Sequence, residues 1–448
     1  MGRLFGTDGV RGVANRELTP ELAFELGRAG AHVLVGKKGT AAGQGRIIVG
    51  RDTRVSGEML EAALVAGITS TGVQAELIGV VPTPGIAYLT RNLKAAAGVM
   101  ISASHNPVAD NGIKFFDAEG YKLMDEVEDE IESYLQSDEV ARPVGLEVGR
   151  VFRRERAEDE YIKFLVNTAG QSLAGTRVVL DCAFGATYRV APRVFTELGA
   201  SIICLHNQED GSRINVRCGS THPEVLREAV VREGAQVGFA YDGDGDRVIA
   251  VDEKGEVVDG DEIMGICGLQ LMADGRLPHN TIVVTVYSNL GLIEAFRKAG
   301  GQVVVTENGD RKVLAAMREK GLVLGGEQSG HVIFLEHNST GDGILTSLQL
   351  MTTLLRAGQP LSELKKRIRK FPQVLENVRV AKKEGWAEKK RIREVIAKYE
   401  QLLGSSGRIF VRASGTEPLI RVMVEGPDRE VLATIAGEIA RVIAEELN

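Results

Sequence analysis

The chain has 448 residues, a formal net charge of −7, and a composition of 44% hydrophobic and 26% charged residues. These values are typical of a globular protein with a full core, and the length suggests roughly three or four domains. The negative net charge argues against a nucleic-acid partner, since such binding needs clustered Lys and Arg. No apolar run reaches the ~20 residues that a membrane span needs.

The amino-terminal residues and the cysteines indicate where the protein is found. Arg3, Asp8 and Arg11 stand among glycines, a pattern unlike the apolar segment of a signal peptide. The four cysteines include no C-x-x-C pair, so they predict reduced thiols rather than disulfides or a metal site. We therefore predict a soluble, cytoplasmic protein that does not bind membranes.

The first 150 residues alternate predicted strands and helices. Thr19 and Pro20 predict a helix start, because threonine caps helices and proline favours their first turn. Alternation of this kind is typical of an α/β domain, which we place at residues 1–150. The predicted strands lie at 46–50, 76–81, 98–101 and 112–116, and further helices lie at 57–72, 84–93 and 125–135.

The strand–helix–strand order then recurs at 177–205 and at 281–305, and such units form parallel sheets. We predict two related α/β domains from this recurrence, at residues 151–255 and 256–370. The pattern changes after Pro372, where strands and helices predict a smaller α+β domain at residues 371–448. The predicted fold is therefore three related α/β domains with mixed or parallel sheets and a small α+β domain.

A polar loop, Ser102–Pro107, follows the buried strand at 98–101 and reads Ser-Ala-Ser-His-Asn-Pro. Open α/β sheets place their chemistry at the carboxyl ends of strands, where a serine beside a histidine can act as a nucleophile. The alternative is a polar turn whose hydroxyl caps the next element.

Three carboxylates occupy alternate positions in Asp242–Arg247, with glycines between them. An all-oxygen cluster of this kind suits a hard cation such as Mg²⁺. Glu253 at the twelfth position also allows an EF-hand, but Arg247 stands where that loop needs glycine and 248–251 predicts a strand. A metal-free acidic turn is the other alternative.

Four further loops carry polar or charged residues. Arg412–Pro418 offers small residues and arginine for an anion, or is an ordinary hairpin loop. Gly325–His331 mixes donors and acceptors that suit sugar hydroxyls, or is a satisfied turn. The glycine-rich loop Phe5–Gly12 carries one cation, and Gly50–Arg54 predicts a structural ion-pair network more than a site.

Taken in order, these loops resemble those of the α-D-phosphohexomutases, and the resemblance extends over nearly the whole chain. The matching motifs read S-A-S-H-N-P, D-G-D-G-D-R, G-E-Q-S-G-H and R-A-S-G-T-E-P. Within that superfamily, the start F-G-T-D-G-V-R-G, the run C-G-S-T-H-P-E at 218–224 and Gln328 resemble the bacterial phosphoglucosamine mutases. Glu307–Arg311 departs from the V-G-D-R of many relatives but keeps its last three residues.

The resemblance implies four domains around one cleft and a phosphoserine enzyme. Ser104 matches the phosphorylated nucleophile, with Ser102 as the internal competitor. Asp242, Asp244 and Asp246 match the ligands of one Mg²⁺ per chain, to which the phosphoserine at Ser104 adds an oxygen.

The resemblance also implies catalytic and substrate-binding residues. Lys114 and His331 are its candidates for proton transfer. Lys114, Arg11 and Arg247 match basic residues around the transferring phosphoryl group, and His105 and His331 complete the implied catalytic set. Those that match the substrate site are Glu327 and Ser329 for sugar hydroxyls, and Arg412, Ser414, Gly415, Thr416 and Arg421 for the phosphate that is not transferred.

The implied reaction interconverts glucosamine 6-phosphate and glucosamine 1-phosphate, which feeds synthesis of UDP-N-acetylglucosamine and the cell wall. Glucosamine 1,6-bisphosphate is the implied intermediate and activator, and sugar phosphates are the implied partners. The oligomeric state stays open, with a homodimer as one candidate. The alternatives are a mannose or glucose phosphate mutase, a non-catalytic module that binds sugar phosphate or Ca²⁺, and a phosphatase acting on the phosphoserine.

Overall fold

The computed structural model describes residues 3–6, 8–36, 45–135, 137, 139–414 and 418–448. The chain divides into two compact units. The larger unit comprises Met1–Thr285 and Val304–Lys366, and the smaller unit comprises Val286–Val303 and Arg367–Asn448. None of the helices in the described part of the chain combines the length and the apolar character that crossing a bilayer requires.

The larger unit begins with a six-stranded mixed sheet. Its strands are β1 (Val10–Val13), β2 (Arg46–Arg51), β3 (Gln74–Val80), β4 (Ala97–Ile101), β5 (Asp110–Phe116) and β6 (Val151–Arg153), in the order β1-β5-β4-β2-β3-β6. Its helices are α1 (Pro20–Leu34), α2 (Gly57–Thr69), α3 (Thr83–Asn92) and α4 (Asp125–Ser133).

The register of this sheet explains why two polar loops meet. β2 and β4 are parallel, with Arg51 paired to Ile101, so both strands end at the same edge. Asp52 and Ser102, the next residues of each strand, therefore emerge side by side. The predicted start of α1 is confirmed, since the Thr19 hydroxyl accepts the N–H of Leu22.

A second sheet of five strands follows in the larger unit. Its strands are β7 (Arg177–Asp181), β8 (Ser201–Leu205), β9 (Val237–Tyr241), β10 (Val248–Asp252) and β11 (Val257–Val258), in the order β11-β10-β9-β7-β8. Its helices are α5 (Ala157–Thr168), α6 (Val190–Glu197) and α7 (Glu224–Glu233). β9 and β10 form an antiparallel hairpin, so residues 242–247 are its turn rather than an EF-hand loop.

A third sheet has the strand order β13-β12-β14-β15, where β12 is Thr281–Thr285, β13 is Gln302–Thr306, β14 is Leu324–Gly326 and β15 is Val332–Phe334. The helices along this part of the chain are α8 (Gly260–Ala273), α9 (Leu290–Lys298), α10 (Asp310–Lys320), α11 (Gly343–Ala357) and α12 (Leu361–Leu364). β14 and β15 are antiparallel, so residues 327–331 connect them as a hairpin.

The smaller unit contains an antiparallel three-stranded sheet of β16 (Gln373–Arg379), β17 (Arg408–Ala413) and β18 (Leu419–Glu425), with β18 in the centre. Buried apolar residues of α13 (Lys390–Leu403) and α14 (Arg429–Leu447) pack with those of the sheet in one core. Within the same unit, α9 is joined to β18 by the Leu290 N–H, which donates to Glu425 at 2.8 Å.

The predicted elements are present with small shifts at their ends, but six strands were not predicted, namely β1, β6, β9, β11, β14 and β15. β1 begins inside the predicted glycine-rich loop, and its residues Val10–Val13 pair with β5. β6 joins the edge of the first sheet beside β3. Both strands are too short for a period of alternating residues to identify them.

Candidate active site

The structure distinguishes the two serines of the loop that follows β4. Ser104 is buried, and its Oγ donates to Asp242 Oδ2 at 2.6 Å. Ser102 Oγ instead donates to Asp52 Oδ2 at 2.6 Å and accepts the N–H of Ser104 at 2.9 Å. Ser104 therefore faces the acidic loop, whereas Ser102 orders the turn.

Arg54 stabilises the same loop through contacts with its main chain. Its side chain is completely buried and its Nε lies 3.1 Å from Asp52 Oδ2. The predicted ion pair in Gly50–Arg54 is thus confirmed, and its function is to hold the serine loop. The guanidinium donates at 2.6–2.9 Å to the main-chain carbonyls of Ser104, Asn106, Pro107 and Asp110.

The acidic loop between β9 and β10 brings three carboxylates together. One ligand atom from each of Asp242, Asp244 and Asp246 lies within 4.8 Å of the others, and all three residues are buried. Burial and the charges of Asp246 and Asp244 raise the pKa of Asp242 well above its ordinary value. Crowded carboxylates of this kind require positive charge close by.

The donor set fits a hard divalent cation. Asp244 Oδ1 and Asp246 Oδ1 are buried and have no hydrogen-bond partner among the described residues. Asp244 Oδ2, in contrast, accepts from Thr83 Oγ1 at 2.6 Å and from Lys114 Nζ at 2.7 Å. Each of these carboxylates is thus held while one oxygen remains available, as an oxygen-ligated Mg²⁺ site needs.

Four charged residues, Lys114, Asp8, Lys122 and Asp310, extend the site as a series of partly buried ion pairs. Lys114 Nζ lies 2.7 Å from Asp244 Oδ2 and 3.0 Å from Asp8 Oδ2. Lys122 Nζ lies 2.5 Å from Asp8 Oδ1 and 2.7 Å from Asp310 Oδ2. Although burial opposes the charged forms, the neighbouring carboxylates raise the pKa of both lysines. Both are therefore ammonium ions that alternate with carboxylates.

His331 lies between Asp310, the last residue of this series of ion pairs, and Asp246 of the acidic loop. Its ring nitrogens lie 3.6 Å from Asp246 Oδ2 and 3.6 Å from Asp310 Oδ2, and the ring is buried. Nε2 accepts the N–H of Gly341 at 3.1 Å. In the neutral ring this contact places the proton on Nδ1, which faces Asp246. Burial opposes the protonated ring, but the charges of Asp246 and Asp310 raise the pKa of His331 above its ordinary value.

His105 and Arg247 lie on the other side of Ser104. His105 Nδ1 is 3.2 Å from Ser104 Oγ and 3.0 Å from Arg247 Nη1. Burial, followed by the charges of Arg247 and Arg11, lowers the pKa of His105 to about 4. The imidazole is therefore neutral at pH 7, which agrees with its contact to a guanidinium that can only donate. Arg11 itself pairs with Asp8.

The hairpin between β14 and β15 carries Glu327 and Ser329. Glu327 Oε1 accepts the N–H of Gly309 at 3.2 Å, and Ser329 Oγ lies 3.4 Å from Glu327 Oε2. The hairpin is fixed to the strand that leaves the acidic loop, because the N–H of Val248 donates to Gly330 O at 3.1 Å. Ser329 is exposed, so its hydroxyl is accessible to a ligand.

Four domain models described as phosphoglucomutase/phosphomannomutase match the chain in sequence order. Alpha/beta/alpha domains I, II and III match residues 2–142, 159–255 and 259–371, and the C-terminal domain matches residues 375–442. The chain belongs to this family. The predicted fold, three α/β domains followed by a smaller domain, is confirmed by these matches.

Similar family members include phosphoglucosamine mutases of two bacteria. That of Moorella thermoacetica is 57% identical over 444 residues and covers 99% of both chains. That of Pelotomaculum thermopropionicum is also 57% identical, over 448 residues, which are 99% of this chain and 100% of the relative. The resemblance inferred from the four loops is therefore confirmed over essentially the full length.

Solved structures of the family share the fold at lower identity. A phosphoglucomutase/phosphomannomutase family protein of Burkholderia thailandensis superposes with a TM-score of 0.83 at 23% identity, covering 100% of this chain and 98% of its own. An N-acetylphosphoglucosamine mutase of Aspergillus fumigatus, in complex with GlcNAc-6P and magnesium, gives 0.70 at 18% identity, covering 99% and 96%.

The C-terminal domain of this phosphoglucomutase/phosphomannomutase family member carries the fourth loop. Arg412 on β17 is paired with Arg421 on β18, so both guanidinium groups lie on one face. Like charges placed directly opposite each other are unfavourable unless an anion or another partner compensates them. Ser414 O accepts Lys383 Nζ at 2.7 Å. Gly415 and Thr416 lie outside the described residues and stay predictions.

The sequence reasoning missed three charged residues of this site. Asp8, Lys122 and Asp310 link Lys114 to His331, although none was assigned a function. Asp8 stands in the glycine-rich motif and Asp310 in the Gly-Asp-Arg segment, so a signal existed for both. Lys122 lies in no motif, and its partner Asp310 is 188 positions away, so only the fold reveals the pair.

Proposed function

We propose that this chain catalyses the interconversion of glucosamine 6-phosphate and glucosamine 1-phosphate through a phosphoserine at Ser104. The observation that carries the proposal is the 2.6 Å contact of Ser104 Oγ with Asp242, beside two carboxylates that each leave a buried oxygen available. The extent of the similarity to bacterial phosphoglucosamine mutases supports the sugar assignment.

In the first half-reaction, a hydroxyl oxygen of the sugar phosphate attacks the phosphorus carried by Ser104. The bond from phosphorus to Ser104 Oγ breaks as the new oxygen–phosphorus bond forms, the hydroxyl loses its proton to a base, and Ser104 Oγ takes up a proton. The product is a 1,6-bisphosphate. In the second half-reaction the other phosphoryl group returns to Ser104, which leaves the isomeric monophosphate.

Phosphoryl transfer depends mainly on positioning and on neutralising charge. Asp242, Asp244 and Asp246, with a phosphoryl oxygen on Ser104, would hold Mg²⁺, which neutralises negative charge on that group when bound. Lys114, which contacts Asp244, and Arg247, which ends the acidic loop, add fixed positive charge. These side chains are held by buried ion pairs, so little reorganisation is needed during transfer.

Proton transfer and substrate binding are assigned to further residues of the chain. Lys114 and His331 are the proton-transfer candidates, and they lie against Asp244 and Asp246 respectively. His105 and Arg11 complete the polar surroundings of Ser104. Glu327 and Ser329 would bind sugar hydroxyls, and the phosphate that is not transferred would bind Arg412, Ser414, Gly415, Thr416 and Arg421.

The decisive experiment combines intact-protein mass with product analysis. We expect one added phosphate after incubation with a hexose 1,6-bisphosphate, its removal by glucosamine 6-phosphate, and formation of glucosamine 1-phosphate. Parallel turnover of glucose 6-phosphate and mannose 6-phosphate tests the alternative sugar specificities. Binding without covalent phosphate would indicate a non-catalytic module, and release of inorganic phosphate would indicate a phosphatase.

Glucosamine 1,6-bisphosphate is the proposed intermediate and activator. A fungal relative of the same fold has been solved in complex with glucose 1,6-bisphosphate, which supports a ligand of this kind. We further propose one Mg²⁺ per chain, a homodimer and a cytoplasmic location. Residues 1–150, 151–255, 256–370 and 371–448 remain the proposed limits of the four domains.

A further inference from the structure

The main-chain carbonyl of Ser104, like its hydroxyl, makes short hydrogen bonds. Arg54 Nη2 donates to Ser104 O at 2.9 Å, and Asn215 Nδ2 donates to the same oxygen at 2.8 Å. A carbonyl oxygen has two lone pairs, so both are used. The backbone of Ser104 is left-handed, with φ at +53°. The two donors fix the following peptide and thereby the direction in which the Ser104 side chain points.

The two donors reach Ser104 from different sheets of the larger unit. Arg54 follows β2 of the first sheet, the sheet that also carries Ser104. Asn215 lies between β8 and α7 of the second sheet, the sheet that carries the acidic loop. A Cβ placed on Gly243 of that loop would lie 2.6 Å from Ser104 O and 2.9 Å from Asn215 Nδ2. Asn215 therefore connects Ser104, by a hydrogen bond, to the second sheet, which carries the acidic loop.

The segments around Asn215 are unusually strained. Left-handed φ values occur at Ala183 (54°), Phe184 (52°), His206 (49°), Asn215 (59°) and Arg217 (51°). Residues with a Cβ adopt this conformation rarely, and it concentrates where a structure fixes the geometry of a functional site. Asparagine tolerates it better than most residues.

The carboxylate of Asp181 anchors these turns. Asp181 Oδ1 accepts the N–H of Ala183 at 3.0 Å and lies 2.9 Å from His206 Nδ1, while Oδ2 accepts the N–H of Gly219 at 3.0 Å. The N–H of Asn215 then donates to Ala183 O at 3.1 Å. The amide of Asn215 is thus placed by an anchored backbone rather than by a freely rotating side chain.

We propose that Asn215 is a positioning residue for phosphoryl transfer, acting through the Ser104 carbonyl. The inference rests on the proposed function. The Asn215 amide keeps Ser104 Oγ beside Asp242 while the phosphoryl group leaves and while it returns. Because in-line transfer is sensitive to the placement of the reacting atoms, loss of this donor lowers the rate of transfer more than it weakens substrate binding.

Two variants separate the donor from the backbone conformation. Asn215→Gly removes the amide and adopts left-handed φ more easily than asparagine. Asn215→Asp keeps the shape and the tolerance for that conformation, but it places a carboxylate oxygen opposite the Ser104 carbonyl. Arg217→Gly is the matched control, because Arg217 is exposed and left-handed in the same segment.

The measurements are kcat and KM for glucosamine 6-phosphate and the single-turnover rate of transfer from the phosphorylated enzyme. We expect kcat and the single-turnover rate to fall about tenfold in Asn215→Gly and about 100-fold in Asn215→Asp, with KM within about threefold. Arg217→Gly keeps the parent rates. The phosphate content by intact mass and the midpoint of thermal unfolding stay near those of the parent in Asn215→Gly.

A role limited to the backbone predicts instead that Asn215→Gly is equal to or better than the parent. Either that result or a rise in KM without a fall in kcat overturns the inference. If Asn215→Asp does not fold, the kinetics of Asn215→Gly alone decide the question. A parent enzyme without mutase activity overturns the proposed function together with this inference. An active parent matched by Asn215→Gly overturns the inference alone.

Discussion

Ser104 and Asp242, which are 138 positions apart in the chain, share a buried hydrogen bond of 2.6 Å. The bond joins the carboxyl end of a strand in the first sheet to the turn of a hairpin in the second. The predicted convergence of the serine loop and the acidic loop is therefore observed. A phosphoryl group carried on this oxygen would meet the carboxylates directly, and this arrangement has consequences that can be measured.

Replacing each serine of the loop separates the nucleophile from its support. We expect Ser104→Ala to lose mutase turnover and to gain no phosphate in intact-mass measurements, because the acceptor oxygen is removed. Ser102→Ala should still become phosphorylated, with kcat reduced about 10- to 100-fold, since the Ser102 bonds to Asp52 and to the Ser104 N–H only order the turn. Phosphate on Ser104→Ala would assign the nucleophile elsewhere.

Removal of divalent metal should abolish turnover, and Mg²⁺ should restore it, because crowded carboxylates and a phosphoryl group need a cation between them. In Asp244→Asn we expect the Mg²⁺ concentration for half-maximal activity to rise at least about tenfold, as one ligand charge is lost. Glu256→Gln, on the exposed turn after β10, is the control and should keep the parent value. Full activity in excess chelator would contradict a metal requirement.

Gly243 tests how tightly the two loops pack. A Cβ at this position would lie 2.6 Å from the main-chain oxygen of Ser104, which cannot move aside as a flexible side chain could. We expect Gly243→Ala to lower kcat about 100-fold by displacing Ser104 from Asp242. Gly437→Ala on α14, where a Cβ meets nothing within 4 Å, should be neutral or slightly stabilising. Parent kinetics in Gly243→Ala would show that the loops are free to separate.

Local patterns predicted the parts of the site that lie within single loops. Apolar residues followed at once by Ser, His and Asn identified the loop after β4, and alternating aspartates identified the turn after β9. The ion pairs of Lys122 and the Asn215 bond to Ser104 were not predicted, because each joins distant segments and depends on how sheets pack. Backbone strain, as at His206, is also set by tertiary contacts rather than by residue preference.

Lys122 is expected to be important for stability, because it neutralises two partly buried carboxylates, those of Asp8 and Asp310. Lys122→Met removes the partner that both carboxylates share, although Asp8 keeps Lys114 and Asp310 keeps His331, so it should lower the free energy of unfolding by about 1–3 kcal/mol. The double variant Lys122→Met, Asp310→Asn should recover part of that loss, since one of the two carboxylates that lose Lys122 is then neutral. Denaturant unfolding measures both, with exposed Lys320→Met as the control. A stable Lys122→Met single variant would show that the carboxylates find other partners.

Asp342, the buried N-cap of α11, should make stability depend on pH. Its side chain accepts from Tyr161 Oη at 2.7 Å, Asn338 Nδ2 at 3.1 Å and the Leu345 N–H at 3.0 Å, and burial nevertheless raises its pKa to about 6. The ordinary pKa of an aspartate is about 3.9. The folded protein therefore binds the proton more tightly than the unfolded chain.

The sign of the dependence follows from this difference. Above pH 6 the carboxylate is ionised in both states, and burial of the charge costs the fold about 3 kcal/mol. As the pH falls from 6 towards 4, the folded state takes up the proton first, so this cost is progressively removed. An asparagine at position 342 is neutral at every pH, so the variant lacks this pH-dependent cost of burying a charge. The unfolding free energy of Asp342→Asn relative to the parent should therefore fall by about 1–2 kcal/mol between pH 8 and pH 5. Equilibrium unfolding of both proteins at several pH values measures the change, and a difference that is constant with pH would mean that Asp342 is ionised throughout.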